Sequence, residues 1–273
     1  MYTILLSILF GALVGASLRL TDVSSTVWAV VVGLLAAIAA FALASRLLGR
    51  RLARRMADLQ SGMEATQKRL QAKIKSFEFR PVGSPQQMMR ELEAEQGKAL
   101  RAALEKTDTL EPFVGWIPLM GRQIATMRMQ FHYQLKEFDK VDALLPKCVF
   151  LDPISASMRL AQMHRRKEPV AEIRKVFDAL VRRFKYNQSV LPYSLMAWIY
   201  VQANDADAAH KLLLQACRDN EHDTLKRNRD KLANNRPNEF SNAGLGDQWY
   251  ALFLEQPKIK QRRVMPRMDG RPF

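Results

Sequence analysis

Two stretches near the start of the chain carry no charged residue: Tyr2 to Leu18 (YTILLSILFGALVGASL) and Val27 to Ser45 (VWAVVVGLLAAIAAFALAS). At about 1.5 Å of rise per residue, each covers roughly 26–29 Å as a helix, close to the ~30 Å hydrocarbon core of a bilayer. The polar link from Arg19 to Thr26 is too short to hold a domain. The pattern therefore predicts an antiparallel transmembrane hairpin over residues 1–48, with Trp28 at an interface. Beyond Ser45 the pattern becomes amphipathic. Met56, Leu59, Met63, Thr66, Leu70 and Phe77 recur at heptad a and d positions, with Lys73 filling one d site. This predicts a helical stalk and linker over residues 49–83, able to self-associate or to pack on the helical domain beyond it.

Arg80-Pro81-Val82-Gly83-Ser84-Pro85 breaks the helix and offers Ser84 as an N-cap. A helix is expected from about Pro85 to Lys106, with Met88, Met89, Leu92, Leu100 and Leu104 on an incomplete apolar face, before Pro112 and the glycines at 115 and 121 interrupt the chain. From there to about residue 257 apolar residues return every three or four positions, in helical segments of about a dozen residues separated by short polar turns. No strand-like alternation appears. The fold class read from the pattern is all-α, with stacked helix pairs between residues 84 and 257 and a basic, proline-broken tail at 258–273.

Charge adds an orientation. The chain holds 42 Lys and Arg against 27 Asp and Glu, a formal net charge of +15. Arg46, Arg50, Arg51, Arg54 and Arg55 follow the second apolar stretch, whereas the link between the two carries Arg19 against Asp22. The positive-inside rule then places both termini in the cytoplasm. Arg50, Arg51, Arg54 and Arg55 also form a membrane-proximal basic cluster suited to anionic lipid. A competing reading makes the first stretch a signal peptide cleaved near Val14-Gly15-Ala16; the second span would still leave the domain after it cytoplasmic. Gly11 and Gly15 have the GxxxG spacing that lets helix backbones approach, within the hairpin or in a homo-oligomer.

Internal similarity at about 34 residues identifies the helix pairs further. In Glu137 to Pro153, Phe138, Val141, Leu145, Cys148 and Pro153 fall where the second helix of a tetratricopeptide repeat carries its aromatic, small, large, small and terminating proline residues. Pro192 to Ala216 resembles a nearly complete repeat, with Tyr193, Ala197 and Tyr200 on its first helix and Ala209, Leu213 and Ala216 on its second. Asn204-Asp205 replaces the usual Gly-Asp turn. Ala161, His164, Val170, Ile173, Phe177 and Leu180 fit a degenerate middle repeat; Met129 and Lys136 depart from the small residues expected at their sites. The resemblance implies a short tetratricopeptide-like α-solenoid whose groove binds protein partners. The layout, two spans followed by such repeats, is similar to that of HemY-type proteins and of the PelE-type subunit of an exopolysaccharide secretion system. It implies a scaffold or adaptor of a bacterial inner-membrane assembly.

Chemistry is sparse. There is no GxSxG, P-loop or HExxH motif, and Cys148 and Cys217 lack metal-ligand or disulfide-scaffold spacing. No cofactor, metal or enzymatic activity is expected. His132 and His164 occupy equivalent helix positions in the first two repeats and read as core or groove residues rather than ligands. Candidate groove positions, taken between the packing residues of the first helices, are Gln162, Arg166 and Ser194. An alternative of a different class, a membrane-tethered nucleic-acid or ribosome-associated protein, rests on Lys226, Arg227, Arg229, Lys231, Arg236 and the tail.

Overall fold

The computed structural model describes residues 2–20, 26–79 and 85–257, and every regular element among them is helical. The helices are α1 (Tyr2–Leu20), α2 (Thr26–Phe79), α3 (Pro85–Lys106), α4 (Met120–Gln134), α5 (Phe138–Leu144), α6 (Pro153–Arg165), α7 (Val170–Val181), α8 (Val190–Gln202), α9 (Ala206–Asp219), α10 (Asp223–Ala233) and α11 (Asp247–Tyr250). The chain divides into two compact units, residues 1–150 and 151–273. The expected Ser84 cap and the basic tail lie outside the described residues.

In the first unit, α1 and the start of α2 are long and apolar enough to cross a membrane. A core helix of a soluble protein would bury most of its apolar side chains. Here Leu5, Leu6, Ile8, Leu9, Phe10, Leu13, Val30, Leu34, Leu35 and Ile38 are all exposed, and the buried face of α1 is instead Thr3, Ser7 and Gly11. Small residues at that spacing let the two backbones meet. A methyl group built on Gly11 would lie 2.5 Å from the Gly33 carbonyl oxygen and 2.6 Å from Ala37 Cβ; one on Gly15 would lie 3.1 Å from the Ala29 carbonyl oxygen. Positions rise along α1 as they fall along α2, so the pair is antiparallel. The Gly11–Gly15 face is filled by α2.

Helix α2 does not end where its apolar stretch ends; it continues without interruption for 54 residues. Its heptad positions are used within the unit. Leu59 packs with Leu100, Ala103 and Phe131, joined by Met63, and Met56 and Leu52 pack against Leu110, Met120 and Ile124. Lys73, the charged d position, pairs with Glu95 at 2.6 Å. The amphipathic stripe thus covers α3, α4 and the 3-10 segment Thr107–Phe113, which Arg128 clips by donating to Thr107, Asp108 and Glu111. The expected long second helix of the first repeat is shorter than its residues suggested: α5 stops at Leu144, and Leu145–Lys147 is 3-10. Pro146 has no N–H to donate and its ring obstructs the preceding turn, which accounts for the stop. Pro153 opens α6 instead of closing α5, behind Asp152, whose carboxylate accepts from Ser155 N at 2.8 Å.

In the second unit α6 packs on α7 and α8, α8 on α9, and α9 on α10. Ala161, Ala197, Ala209 and Ala216 are wholly buried, allowing close approach, while Phe177, Tyr193 and Leu213 fill the space between helices. Helix α8 is apolar on nearly every side and is buried from Leu191 to Ile199, as an all-round apolar helix must be. The C-terminal segment docks through Trp249 and Leu252, both wholly buried. The Trp249 ring meets Trp198 of α8 edge-on at 5.7 Å, and the two indoles donate to the two oxygens of one carboxylate, Glu255, at 2.8 and 2.7 Å.

One turn recurs four times among the described residues. Lys136, Lys167, Asn204 and Asn235 follow α4, α6, α8 and α10, each with φ between 53° and 60°. In each, the residue after it donates back five positions: Glu137 to His132, Glu168 to Met163, Asp205 to Tyr200 and Arg236 to Lys231. This is the Schellman arrangement, which satisfies the orphan carbonyls of a helix end and normally prefers glycine at the left-handed position. Asparagine tolerates that position; the two lysines occupy it at a cost of about 1–2 kcal/mol each.

Candidate partner-binding site

The linker from Arg182 to Ser189 is longer than the turns that join α6 to α7, α8 to α9 and α9 to α10, and the sequence RRFKYNQS makes it basic and aromatic. It is fixed to the end of α9 rather than left loose. Asn187 N donates to Asp219 O at 3.2 Å, Glu221 N donates to Asn187 Oδ1 at 2.6 Å, and buried Ser189 donates to Asn220 Oδ1 at 3.0 Å. Asn220 in turn donates to Ala216 O, so the clamp is anchored in the packed face of α9.

The clamp frames a cavity of about 540 Å³ lined by Arg182, Lys185, Tyr186, Arg218, Asp178 and Asp219 among others, with Tyr193 contributing from α8. Tyr193 is buried, and that burial, with the nearby Asp219 charge, holds its phenol above the usual range. Tyr186 is 62% exposed. Asp178 is already engaged by Arg174, whose Nε donates to both carboxylate oxygens at 2.9 Å. Arg182, Lys185 and Arg218 are exposed and have no ion pair among the described residues, which leaves three cations and one acid, Asp219, at the cavity. Such a set attracts a carboxylate-bearing segment, and an exposed tyrosine beside it supplies a rigid amphipathic contact.

The residues picked from the sequence fall elsewhere. Gln162 and Ser194 are buried, at 1% and 0% exposure, so they are not on an open groove of this structure. The reason is that α6 and α8 are interior helices: α6 buries Ser155, Ser157 and Gln162 along with its apolar residues, and Ser194 O accepts from buried Asn242 at 2.9 Å. Arg166 is exposed, 3.6 Å from Glu168. Arg50, Arg51, Arg54 and Arg55 are exposed along α2, just beyond its apolar part.

His132 and His164 have different surroundings despite their equivalent sequence positions. His132 Nδ1 lies 2.7 Å from Glu137, whose carboxyl is held low by hydrogen bonds from Lys140 and His132. His164 meets Trp198 edge-on at 5.2 Å; burial, with the Arg165 charge, lowers its pKa and favours the neutral ring. Among the described residues no three His, Cys, Asp or Glu side chains converge to hold a metal ion. Of the basic residues on and just after α10, Lys226 lies 3.4 Å from Glu221, Arg229 2.7 Å from Asp230 and Arg236 3.7 Å from Glu239, while Arg227 donates to the Thr224 hydroxyl and Lys231 to Glu239 O.

Comparison of the chain with protein-family models, with curated proteins and with solved structures gives no match.

Proposed function

We propose that this chain is a membrane-anchored scaffold or adaptor. In this reading α1 and the apolar part of α2 form a transmembrane hairpin with both termini in the cytoplasm. The helix pairs from α4 to α9 form a short tetratricopeptide-like solenoid that captures a protein partner in an envelope or secretion assembly, and the chain binds rather than catalyses. The observation that carries the reading is the clamped cavity of the second unit, where Arg182, Lys185 and Arg218 stand without ion pairs among the described residues, beside exposed Tyr186. It favours an acidic segment of a partner protein.

Further support comes from the recurring left-handed turn after α4, α6 and α8, from the buried alanines between helices, and from the exposed apolar surface of α1 and α2. The arginines beyond the apolar part of α2 support the orientation and a contact with anionic lipid. The local pairing of Lys226, Arg229 and Arg236 favours a protein ligand over nucleic acid, since phosphate binding draws on cations free to replace counterions.

The test is charge reversal at the cavity in the full-length chain. With Arg182→Glu and Arg218→Glu combined, chemical crosslinking in native membranes should recover at least about tenfold less of the partner, the equivalent of about 1.4 kcal/mol. Lys211→Glu, at an exposed position of α9 outside the cavity, should leave recovery unchanged. Equal recovery from the cavity variant and the parent chain would remove the basis of the proposal.

A further inference from the structure

The segment from Phe113 to Leu119, FVGWIPL, is apolar yet incompletely buried. Val114 is 44% exposed, Trp116 37% and Leu119 54%. A soluble surface gains nothing from presenting three such side chains within six residues, and Leu119 does so from the left-handed region at φ 63°, a conformation that is costly for a leucine. The segment is tied at one place. Tyr2 N, at the first turn of α1, donates to Gly115 O at 3.0 Å, and Thr3 Oγ1 donates to Trp116 O at 3.0 Å. The Tyr2 and Trp116 rings meet edge-on at 5.7 Å. A methyl group on Gly115 would lie 2.5 Å from the Tyr2 ring, so any larger residue there displaces the ring from this contact.

The position of this attachment along α1 and α2 identifies what the exposed side chains face. Trp116, Ile117 and Pro118 share a cleft with Thr3 and Ile4 of α1 and with Phe41, Ser45, Leu48 and Gly49 of α2. That is the level at which the uncharged stretch of α2 gives way to Arg46, Arg50 and Arg51. If α1 and α2 span a bilayer, this level is the boundary between acyl chains and headgroups, where tryptophan and tyrosine accumulate.

We propose that Phe113–Leu119 is an interfacial docking loop that inserts Val114, Trp116 and Leu119 into the headgroup and acyl-chain boundary of the membrane, fixing the soluble part of the first unit against the bilayer. The proposal rests on the spanning reading of α1 and α2. Its occupant is lipid, because the loop is hydrogen-bonded to the end of an apolar helix whose outward side chains need the same environment, and because the neighbouring arginines suit anionic headgroups.

Tryptophan quenching separates the two claims. Trp198 and Trp249 are buried, at 8% and 0% exposure, whereas Trp28 and Trp116 are open. The full chain is reconstituted in vesicles of phosphatidylcholine and phosphatidylglycerol with and without brominated acyl chains. In Trp28→Phe, brominated lipid should still quench a substantial share of the fluorescence, and adding Leu119→Asp should reduce that share severalfold. In Trp116→Phe, quenching of Trp28 should persist. If Trp28→Phe alone abolishes quenching by lipid, and Trp116 responds instead to aqueous iodide, the docking loop is overturned while the span stands. If neither tryptophan responds to lipid, the spanning reading fails and the loop proposal with it. Unchanged quenching on Leu119→Asp would also overturn the insertion of that residue.

Discussion

Trp249→Ala should be among the most damaging single changes in the second unit, at a cost of about 3–5 kcal/mol. The ring is wholly buried, packs edge-on against Trp198 and closes one of the two indole hydrogen bonds to Glu255. Removing it leaves a cavity under the last helices and strips one donor from a carboxylate. Phenylalanine at the same position keeps one aromatic ring, so Trp249→Phe removes the hydrogen bond with a smaller cavity than alanine leaves. A bond to a charged group is worth about 1.5–3 kcal/mol, less for a half-exposed carboxylate such as Glu255. Hydrogen exchange of the α8 and α9 amides in the detergent-solubilised chain reads both variants. For Trp249→Ala the exchange of the slowest amides should accelerate by roughly a hundredfold or more. Unchanged protection would show that the C-terminal segment does not cap these helices.

In the first unit, Gly33→Leu should separate α1 from α2. A methyl group alone on Gly33 would lie 2.7 Å from the Gly11 carbonyl oxygen and 3.3 Å from the Gly15 backbone. Neither neighbour is a flexible side-chain end, so the helices must move apart, and overpacking of this kind typically costs about 1–3 kcal/mol or more. Ala12 and Leu34 line the same cleft between the two helices. A cysteine pair at those positions should be bridged efficiently by a short bifunctional maleimide in the parent chain, and at least about tenfold less efficiently with Gly33→Leu. Equal bridging would mean that the glycine contact does not hold the pair. Leu35→Ala, at an exposed position of α2, is the control and should bridge like the parent.

The apolar helices were legible because an uninterrupted uncharged stretch leaves few alternatives, and the GxxxG spacing pointed to the contact that α2 fills. The later helix pairs were legible for a related reason. Ala197, Ala209, Leu213 and Ala216 are so placed that their periodicity marks a packed face, and all four are wholly buried. Asn204-Asp205 also forms the turn expected of it, with Asn204 in the left-handed region and Asp205 accepting from Ala208 N. What the sequence did not disclose depended on distant neighbours. Lysines at 136 and 167 give no local signal for a left-handed turn, because charge rather than conformation dominates their appearance in a sequence. Gln162 and Ser194 are polar, and polar residues between packing positions read as exposed. Both lie on interior helices, where neighbouring Ser157 satisfies its hydroxyl on Pro153 O at 2.8 Å, whereas the buried Ser194 hydroxyl has no hydrogen-bond partner among the described residues. The continuity of α2 was hidden by the change from a uniformly apolar to a heptad pattern, which alters what the helix packs against and not whether it is a helix.

The cavity beside α9 was missed because its parts are far apart in sequence. Arg182 and Lys185 lie in a linker that reads as a solvated basic turn, and Arg218 lies at the end of another helix. Only the clamp through Asn187, Ser189 and Asn220 brings them together. The overlooked signal was the length of the linker, which exceeds what a simple turn between two helices needs.

What Tyr186 touches in the native membrane tests the adaptor reading most directly. A photoreactive benzoyl-phenylalanine at position 186 of the full-length chain, irradiated in intact membranes and followed by mass spectrometry, should crosslink to one protein. The attached peptide should be rich in Asp and Glu, and the product should be lost with Arg182→Glu and Arg218→Glu. Crosslinks only to lipid or nucleic acid, or protein crosslinks indifferent to those reversals, would contradict an acidic protein partner at this cavity.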